Sequence, residues 1–143
     1  HILKKLYLKD MKQKDKGQIL NVASIAGFMP GPLMATYYAT KAYVVRLSEA
    51  IREELKKEKS NVKISILCPG PVDTNFNNVA DVEFSIKGLS SKYVAKYAVK
   101  KLEKNKFYII PGFSIKCAKI GAKIAPTGLV SKISYKMQKR KIK

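Results

Sequence analysis

The sequence predicts an α/β fold built on a doubly wound parallel sheet, and three observations lead there. Amphipathic stretches alternate with short apolar runs in the order helix, strand, helix, strand, helix, strand, the signature of a parallel sheet with crossover helices. The runs at 18–24, 62–68 and 107–110 are largely continuous rather than alternating, as in strands covered on both faces. Two of the three strands stop at a Pro-Gly pair, Pro69-Gly70 and Pro111-Gly112, which breaks the ladder abruptly. At 143 residues a single core is the size expectation, and a hydrophobic content of 46% excludes a disordered chain.

Residues 3–14 carry Leu3, Leu6, Tyr7, Leu8 and Met11 at three- and four-residue spacing between lysines, which predicts the end of an amphipathic helix. Asp15-Lys16-Gly17 stops it, with Gly17 the expected C-terminal glycine. The strand Gln18 to Ser24 follows, then a Gly/Pro-rich loop from Gly27 to Pro32 and a long helix from about Thr36 to Lys59. Ala39, Ala42, Tyr43, Val44, Leu47, Ile51 and Leu55 form its expected apolar stripe. Ser60-Asn61 leads into the strand Val62 to Cys68, and irregular sequence runs to about Leu89. Residues 90–104 read as another amphipathic helix with Ser90 as its N-cap, before the strand Phe107 to Ile110. Three such strands need cover on both faces, more than so short a chain is expected to supply. The chain also opens on His1 in what reads as mid-helix. Both features suggest part of a longer domain.

Lys and Arg number 29 against 10 acids, a net charge of +19. The excess reads either as a lysine-rich solvated surface or as attraction to an anionic partner: a membrane, or a phosphate-bearing cofactor or carrier. Nucleic acid is not expected, because no RNA-binding aromatic motif, zinc-finger spacing or basic zipper is present and Arg occurs only at 46, 52 and 140. Cys68 and Cys117 lie far apart without metal spacing and read as buried free thiols in a reducing, cytoplasmic setting. No metal site is expected from one His and scattered acids, and no run of eighteen apolar residues predicts a spanning helix.

The chemistry concentrates in residues 17–74. Ser24 ends the first strand, Tyr37 opens the long helix, and Lys41 lies one turn later on the same helix face. An adjacent cation favours phenolate over phenol, so a Tyr placed this way can exchange a proton nearer neutral pH. A Ser at the C-terminal end of the neighbouring strand can hydrogen-bond a substrate oxygen as its charge changes, and ligands of open parallel sheets bind at that edge. Y-x-x-x-K alone is weak evidence. Its specificity comes from Ser24 thirteen residues upstream across a Gly/Pro loop, and from Pro69-Gly70 followed by Val72-Asp73-Thr74.

These stretches, GQILNVASIAGFMPGPLMATYYATKAYVVRLSEAIREEL (17–55) and VKISILCPGPVDTNF (62–76), resemble the short-chain dehydrogenases/reductases. That family's pattern is a strand ending in Ser, then Y-x-A-[ST]-K on the next helix, then a strand ending P-G-x-[VI]-x-T. Here it reads Ser24, Tyr37-Tyr38-Ala39-Thr40-Lys41 and Pro69-Gly70-Pro71-Val72-Asp73-Thr74. The resemblance, specific over 17–76 and extending over about 1–112, implies a Rossmann-like doubly wound sheet of which this is the C-terminal portion. It implies that Tyr37 is the proton donor or acceptor, that Lys41 tunes Tyr37 and bonds the nicotinamide ribose, and that Ser24 polarises the carbonyl. By the same resemblance Pro69 and Gly70 line the nicotinamide, Val72 presents backbone to its carboxamide, and Thr74 caps it. Tyr38, about 100° around the helix from Tyr37, reads as packing or substrate wall.

The implied protein is an NAD(P)-dependent oxidoreductase of carbonyls and alcohols, with NADP mildly favoured over NAD by the basic charge. The family's T-G-x-x-x-G-x-G phosphate loop, its N-N-A-G strand end and its catalytic Asn are not in this sequence. The segment alone is therefore expected to be inactive. The alternative is a non-catalytic, membrane-associated or cofactor-sensing homologue. Residues 1–112 form the dehydrogenase portion and 113–143 a basic helical tail with nine basic residues and no acids. Within the tail, Lys116, Lys119 and Lys123 fall opposite Phe113, Cys117, Ile120 and Ile124. After a break at Pro126, with Thr127 as candidate N-cap, Lys132, Lys136 and Lys139 fall apart from Val130, Ile133 and Met137. Such helices either lie on an anionic membrane or pack their apolar face over the cleft or a partner subunit. The expected partners are a small, hydrophobic or acyl-type carbonyl or alcohol, a second copy of the chain through the first two helices, and an anionic membrane. An acidic acyl carrier is the rival to a free substrate.

Overall fold

The computed structural model describes residues 2–75 and 88–139. The chain runs α1 (Ile2–Gln13), β1 (Gln18–Val22), a 3-10 turn (Ile25–Phe28), α2 (Ala35–Lys57), β2 (Lys63–Leu67), β3 (Val72–Asp73), β4 (Leu89–Ser90), α3 (Ser91–Glu103), β5 (Tyr108–Ile109), α4 (Phe113–Ile124) and α5 (Thr127–Lys139). The expected α/β fold is present: a parallel sheet in the order β1-β2-β5, with Gln18 opposite Lys63 through to Val22 opposite Leu67, and Ile66 opposite Tyr108. β3 and β4 form a second parallel pair, Val72 opposite Leu89. Two-residue strands have no period to read, so the sequence showed this stretch only as irregular. Its middle, 76–87, lies outside the described residues, as do His1 and residues 140–143.

β2 is the centre of the core because it alternates between two apolar clusters. Ile64, Ile66 and Cys68 face Val45, Ile51 and Leu55 of α2, with Leu8 and Met11 of α1 packed alongside. Leu67, on the other face with Ile109, meets Val94 and Ala98 of α3. Helices therefore cover both faces of β2, cover that the sequence reading placed beyond so short a chain. β1 is the strand left half-exposed, with Val22 57% accessible.

Three helices end the same way, and none uses glycine. Asp15, Lys59 and Asn105 adopt left-handed backbone at φ of 43°, 55° and 51°. The next N–H in each case reaches back to close the last turn: Lys16 to the Met11 carbonyl, Ser60 to Leu55, and Lys106 to Lys101. The expected role of Gly17 is thus taken by Asp15. The Asp15 carboxylate accepts from Asn61 N–H at 2.8 Å, Asn61 Nδ2 at 2.7 Å and Ser60 Oγ at 3.1 Å, which ties the end of α1 to the start of β2. Asn61's backbone and side-chain donors hold that carboxyl below its ordinary range. Gly17 is needed for space instead, since a Cβ there would lie 2.4 Å from the Met11 side chain.

Of the expected stripe of α2, Ile51 and Leu55 are buried and Val44 and Leu47 pack against the same cluster, but the buried face also takes in Val45 and Ser48. Ala39 and Tyr43 face outward. Ser48 is buried because Asn21 Nδ2 of β1 donates to its Oγ at 2.7 Å while that Oγ donates to the Val44 carbonyl at 2.7 Å. Ser90 caps α3 as expected, accepting from Tyr93 N–H at 3.3 Å. Thr127 is the first residue of α5 rather than its cap, because Leu129 and Val130 N–H already donate to the Pro126 carbonyl.

Ile66→Ala, at a fully buried site on the central strand, should cost about 2–5 kcal/mol of folding stability by denaturant titration, while Val99→Ala, 55% exposed on α3, should stay within about 0.5 kcal/mol.

Candidate active site

The β1–β2 ladder continues past the ends of both strands. Ala23 N–H donates to the Leu67 carbonyl at 2.8 Å and Ile25 N–H to the Pro69 carbonyl at 2.9 Å. Ser24 is therefore held beside Pro69 at the C-terminal edge of the sheet, with only 8% of its surface exposed. Its Oγ accepts from Ala26 N–H at 3.2 Å, capping the 3-10 turn, and lies 3.5 Å from the Pro69 carbonyl. The turn bends the chain straight into α2. A Cβ on Gly27 would lie 2.8 Å from the Lys41 carbonyl oxygen and 2.9 Å from Val45, so only glycine lets Ser24's turn approach Lys41 this closely.

Tyr37 and Lys41 sit on the first two turns of α2. Lys41 Nζ lies 5.6 Å from the centre of the Tyr37 ring and 3.5 Å from the Val22 carbonyl at the end of β1. Tyr38 stands edge-on to Tyr37 at 6.0 Å between ring centres and lies against Gly31, where a Cβ would fall 2.1 Å from its ring. It is both packing and cleft wall.

Ser24, Tyr37, Lys41, Pro69, Gly70, Val72 and Thr74, which are the seven site residues the sequence singled out, all line one cleft of about 620 Å³. Its remaining lining is overwhelmingly apolar. Met29 and Met34 come from the loop before α2, and the opposite wall is built by α4 and α5, through Ile115, Ala118, Ala122 and Val130. Val130 belongs to the apolar face expected of the second tail helix, whose Ile133 and Met137 also line the cleft, whereas the sequence did not single out Met29, Met34, Ile115, Ala118 or Ala122. Small residues at 118, 121, 122 and 125 were the available signal. Ser134 of α5 also lines the cleft, 5% exposed.

The model of the family described as short chain dehydrogenase matches residues 2–83, more than half of this chain. The chain belongs to that family. Among curated relatives, a "Very-long-chain 3-oxoacyl-CoA reductase" of Laccaria bicolor is 45% identical over 56 residues, 39% of this chain and 17% of that protein. Human "17-beta-hydroxysteroid dehydrogenase type 3" is 42% identical over 69 residues, 48% of this chain and 22% of that protein. This chain spans less than half the length of either. A short chain dehydrogenase from Burkholderia cenocepacia solved in complex with NADP aligns at a TM-score of 0.68 and 24% identity, over 83% of this chain and 47% of that one. One from Burkholderia phymatum in complex with NAD aligns at 0.70 and 23%, over 81% and 50%. These structures share the Rossmann-like parallel α/β fold.

In this short-chain dehydrogenase, α4 is fastened over the site by a cluster the sequence did not reveal. Lys119 was expected on the solvent side with Lys116 and Lys123. Instead its Nζ lies 3.2 Å from the centre of the Tyr108 ring and 4.9 Å from that of Phe28. Burial pulls the Lys119 ammonium below its ordinary range. The Tyr108 hydroxyl donates to Glu49 of α2, and Arg46 Nη1 lies 2.8 Å from the same carboxylate. Burial, then the Glu49 bond, push the Tyr108 phenol up. Burial acts to raise Glu49, but the bonds from Tyr108 and Arg46 outweigh it and hold the carboxyl below its ordinary range. Ile115 closes the contact against Gly70, where a Cβ would meet its side chain at 2.5 Å. Of the two thiols, Cys68 is buried as expected, and burial pushes it up to about 12; Cys117 is exposed on α4, against expectation.

Tyr108→Phe removes the donor to Glu49. The Glu49 carboxyl should then titrate closer to a glutamate's ordinary 4.5, as followed by carbon-detected NMR. A depressed carboxyl stabilises the fold above its unfolded value and loses that contribution as pH falls through the folded one. The variant should therefore be less stable than the parent at neutral pH, with the gap shrinking below about pH 4.5.

Proposed function

We propose that this chain supplies the proton-transfer half of an NAD(P)-dependent oxidoreductase that interconverts a carbonyl and an alcohol on a hydrophobic, acyl-type substrate. The carrying observation is that Ser24, Tyr37 and Lys41 converge on one apolar cleft. In reduction, the Ser24 hydroxyl donates to the substrate oxygen and orients it, while the Tyr37 hydroxyl gives its proton to that oxygen. The Lys41 ammonium, one turn away, offsets the charge left on Tyr37, which regains its proton from solvent. A bound dihydronicotinamide supplies the hydride. In oxidation Tyr37 accepts the alcohol proton instead.

The residues present suit one end of that cofactor. Lys41 Nζ makes a long hydrogen bond to the Val22 carbonyl, at 3.5 Å, leaving donors for ribose hydroxyls, and backbone from Gly70 to Thr74 borders the cleft where a carboxamide needs partners. No glycine-rich turn at a helix N-terminus is found among the described residues, so they fit the nicotinamide end and not the pyrophosphate. The charge of +19 leans toward NADP. The apolar walls support an acyl or comparably greasy substrate, as do relatives named for oxoacyl-CoA and hydroxysteroid. Tyr43 of α2, with Leu6 and Tyr7 of α1, leaves exposed apolar surface that favours a second copy of the chain.

The test uses the protein joined to a glycine-rich nucleotide-binding half, with cofactor oxidation followed by absorbance against long-chain ketones. Tyr37→Phe should lower kcat by about 10²–10⁴-fold and Ser24→Ala by about 10²–10³-fold, with unchanged circular dichroism. Turnover undiminished in Tyr37→Phe overturns the assignment.

A further inference from the structure

The sequence left three uses for the apolar stripe of α4, on a membrane, over the cleft or against a partner subunit, and the structure does not place it over the cleft. Phe113, Ile120 and Ile124 do not pack over the cleft; they stand 81%, 59% and 78% exposed, with Cys117 exposed among them. Their spacing of four, three and four residues puts all four on one face of the helix. The cleft is walled by the other side of the same helix, through Ile115, Ala118 and Ala122. α5 continues the outer surface with Leu129, 51% exposed. No monomer gains from leaving so contiguous a set of large side chains in water, and such a patch marks a contact surface.

Charge decides what covers it. Lys116 and Lys123 flank the stripe on α4, Lys132 and Lys136 lie exposed on α5, and residues 113–143 contain no acid. A second copy brought face to face would set these lysines against their own kind with no carboxylate to answer them. An anionic bilayer complements both parts at once, with acyl chains for the aromatic and aliphatic side chains and phosphates for the ammonium groups. Among the described residues no helix is long and apolar enough to cross a membrane, so the contact is with the interface.

We infer that the outer face of α4, with the adjoining side of α5, docks on an anionic lipid surface. Docking there sets the cleft, walled by the inner sides of the same two helices, next to the bilayer from which a hydrophobic substrate partitions. The docking itself stands independently of the catalytic reading, because it is measured without turnover.

The experiment is sedimentation of the whole chain with phosphatidylcholine vesicles, with and without phosphatidylserine. A polarity-sensitive fluorophore on Cys117 gives a second readout, since the other thiol, Cys68, is buried and held protonated. Binding is expected only with phosphatidylserine, with a blue shift of the probe and release at high salt. Phe113→Ser/Ile120→Ser/Ile124→Ser and, separately, Lys116→Glu/Lys123→Glu should each weaken partitioning at least tenfold; both sets change exposed side chains, so circular dichroism should be unaltered. Equal sedimentation of parent and variants overturns the inference. So does a probe that is shielded in a dimer, or only by an acidic carrier protein, and is unmoved by vesicles.

Discussion

The site depends on a backbone ladder that does not stop where its strands stop. β1 and β2 run parallel and in register, and two further bonds, Ala23 to Leu67 and Ile25 to Pro69, carry the pairing past both strand ends. Parallel pairing puts the C-terminal ends of both strands at the same edge, and this extension places Ser24 and Pro69 side by side there. The chain then enters a 3-10 turn capped by Ser24 itself, and Gly27 brings that turn against Lys41. Lengthening the turn or adding a side chain at Gly27 would separate Ser24 from α2, and the proposed proton-transfer group would lose its geometry.

The second constraint is electrostatic and lies behind the cleft. α4 is amphipathic in an unusual sense: its inward side carries Ile115, several small residues and one lysine, and its outward side carries Phe113, Ile120 and Ile124. Lys119 on the faces of Phe28 and Tyr108, with Tyr108 bonded to Glu49, gives that inward side a fixed docking point. Ala118 and Ala122 then line the cleft without filling it. A helix held by a cation and shaped by alanines leaves both a roomy apolar cleft and an unspent apolar surface.

Much of this was legible in the sequence, for identifiable reasons. Continuous apolar runs announced the parallel strands because strands covered on both faces have no polar side to show. That seven residues would converge on one cleft was legible because the family motif constrains residue type and spacing together. Other features depended on partners distant in sequence. The burial of Ser48 on α2 was missed because it looks solvent-facing until Asn21 is known to bond it. Asp15 took the place expected of Gly17 because Asn61, 46 residues on, supports its left-handed backbone. Lys119 was set with the surface lysines because no periodicity shows that two aromatic rings wait beneath it. The apolar face of α5, with Val130, Ile133 and Met137, meets the cleft as its periodicity suggested, but the cleft side of α4 was obscured because small residues look unremarkable beside a conspicuous Phe-Ile-Ile stripe.

The most direct measurement of the central claim is a crystal structure of the protein with its nucleotide-binding half, a nicotinamide cofactor and a long-chain ketone. The account predicts the ketone oxygen within hydrogen-bond distance of both Tyr37 and Ser24, the Lys41 ammonium on the nicotinamide ribose, and the hydrocarbon chain along Ala118 and Ala122. A ketone bound with its oxygen away from Tyr37 and Ser24, or a chain lying outside the wall formed by α4, would contradict it.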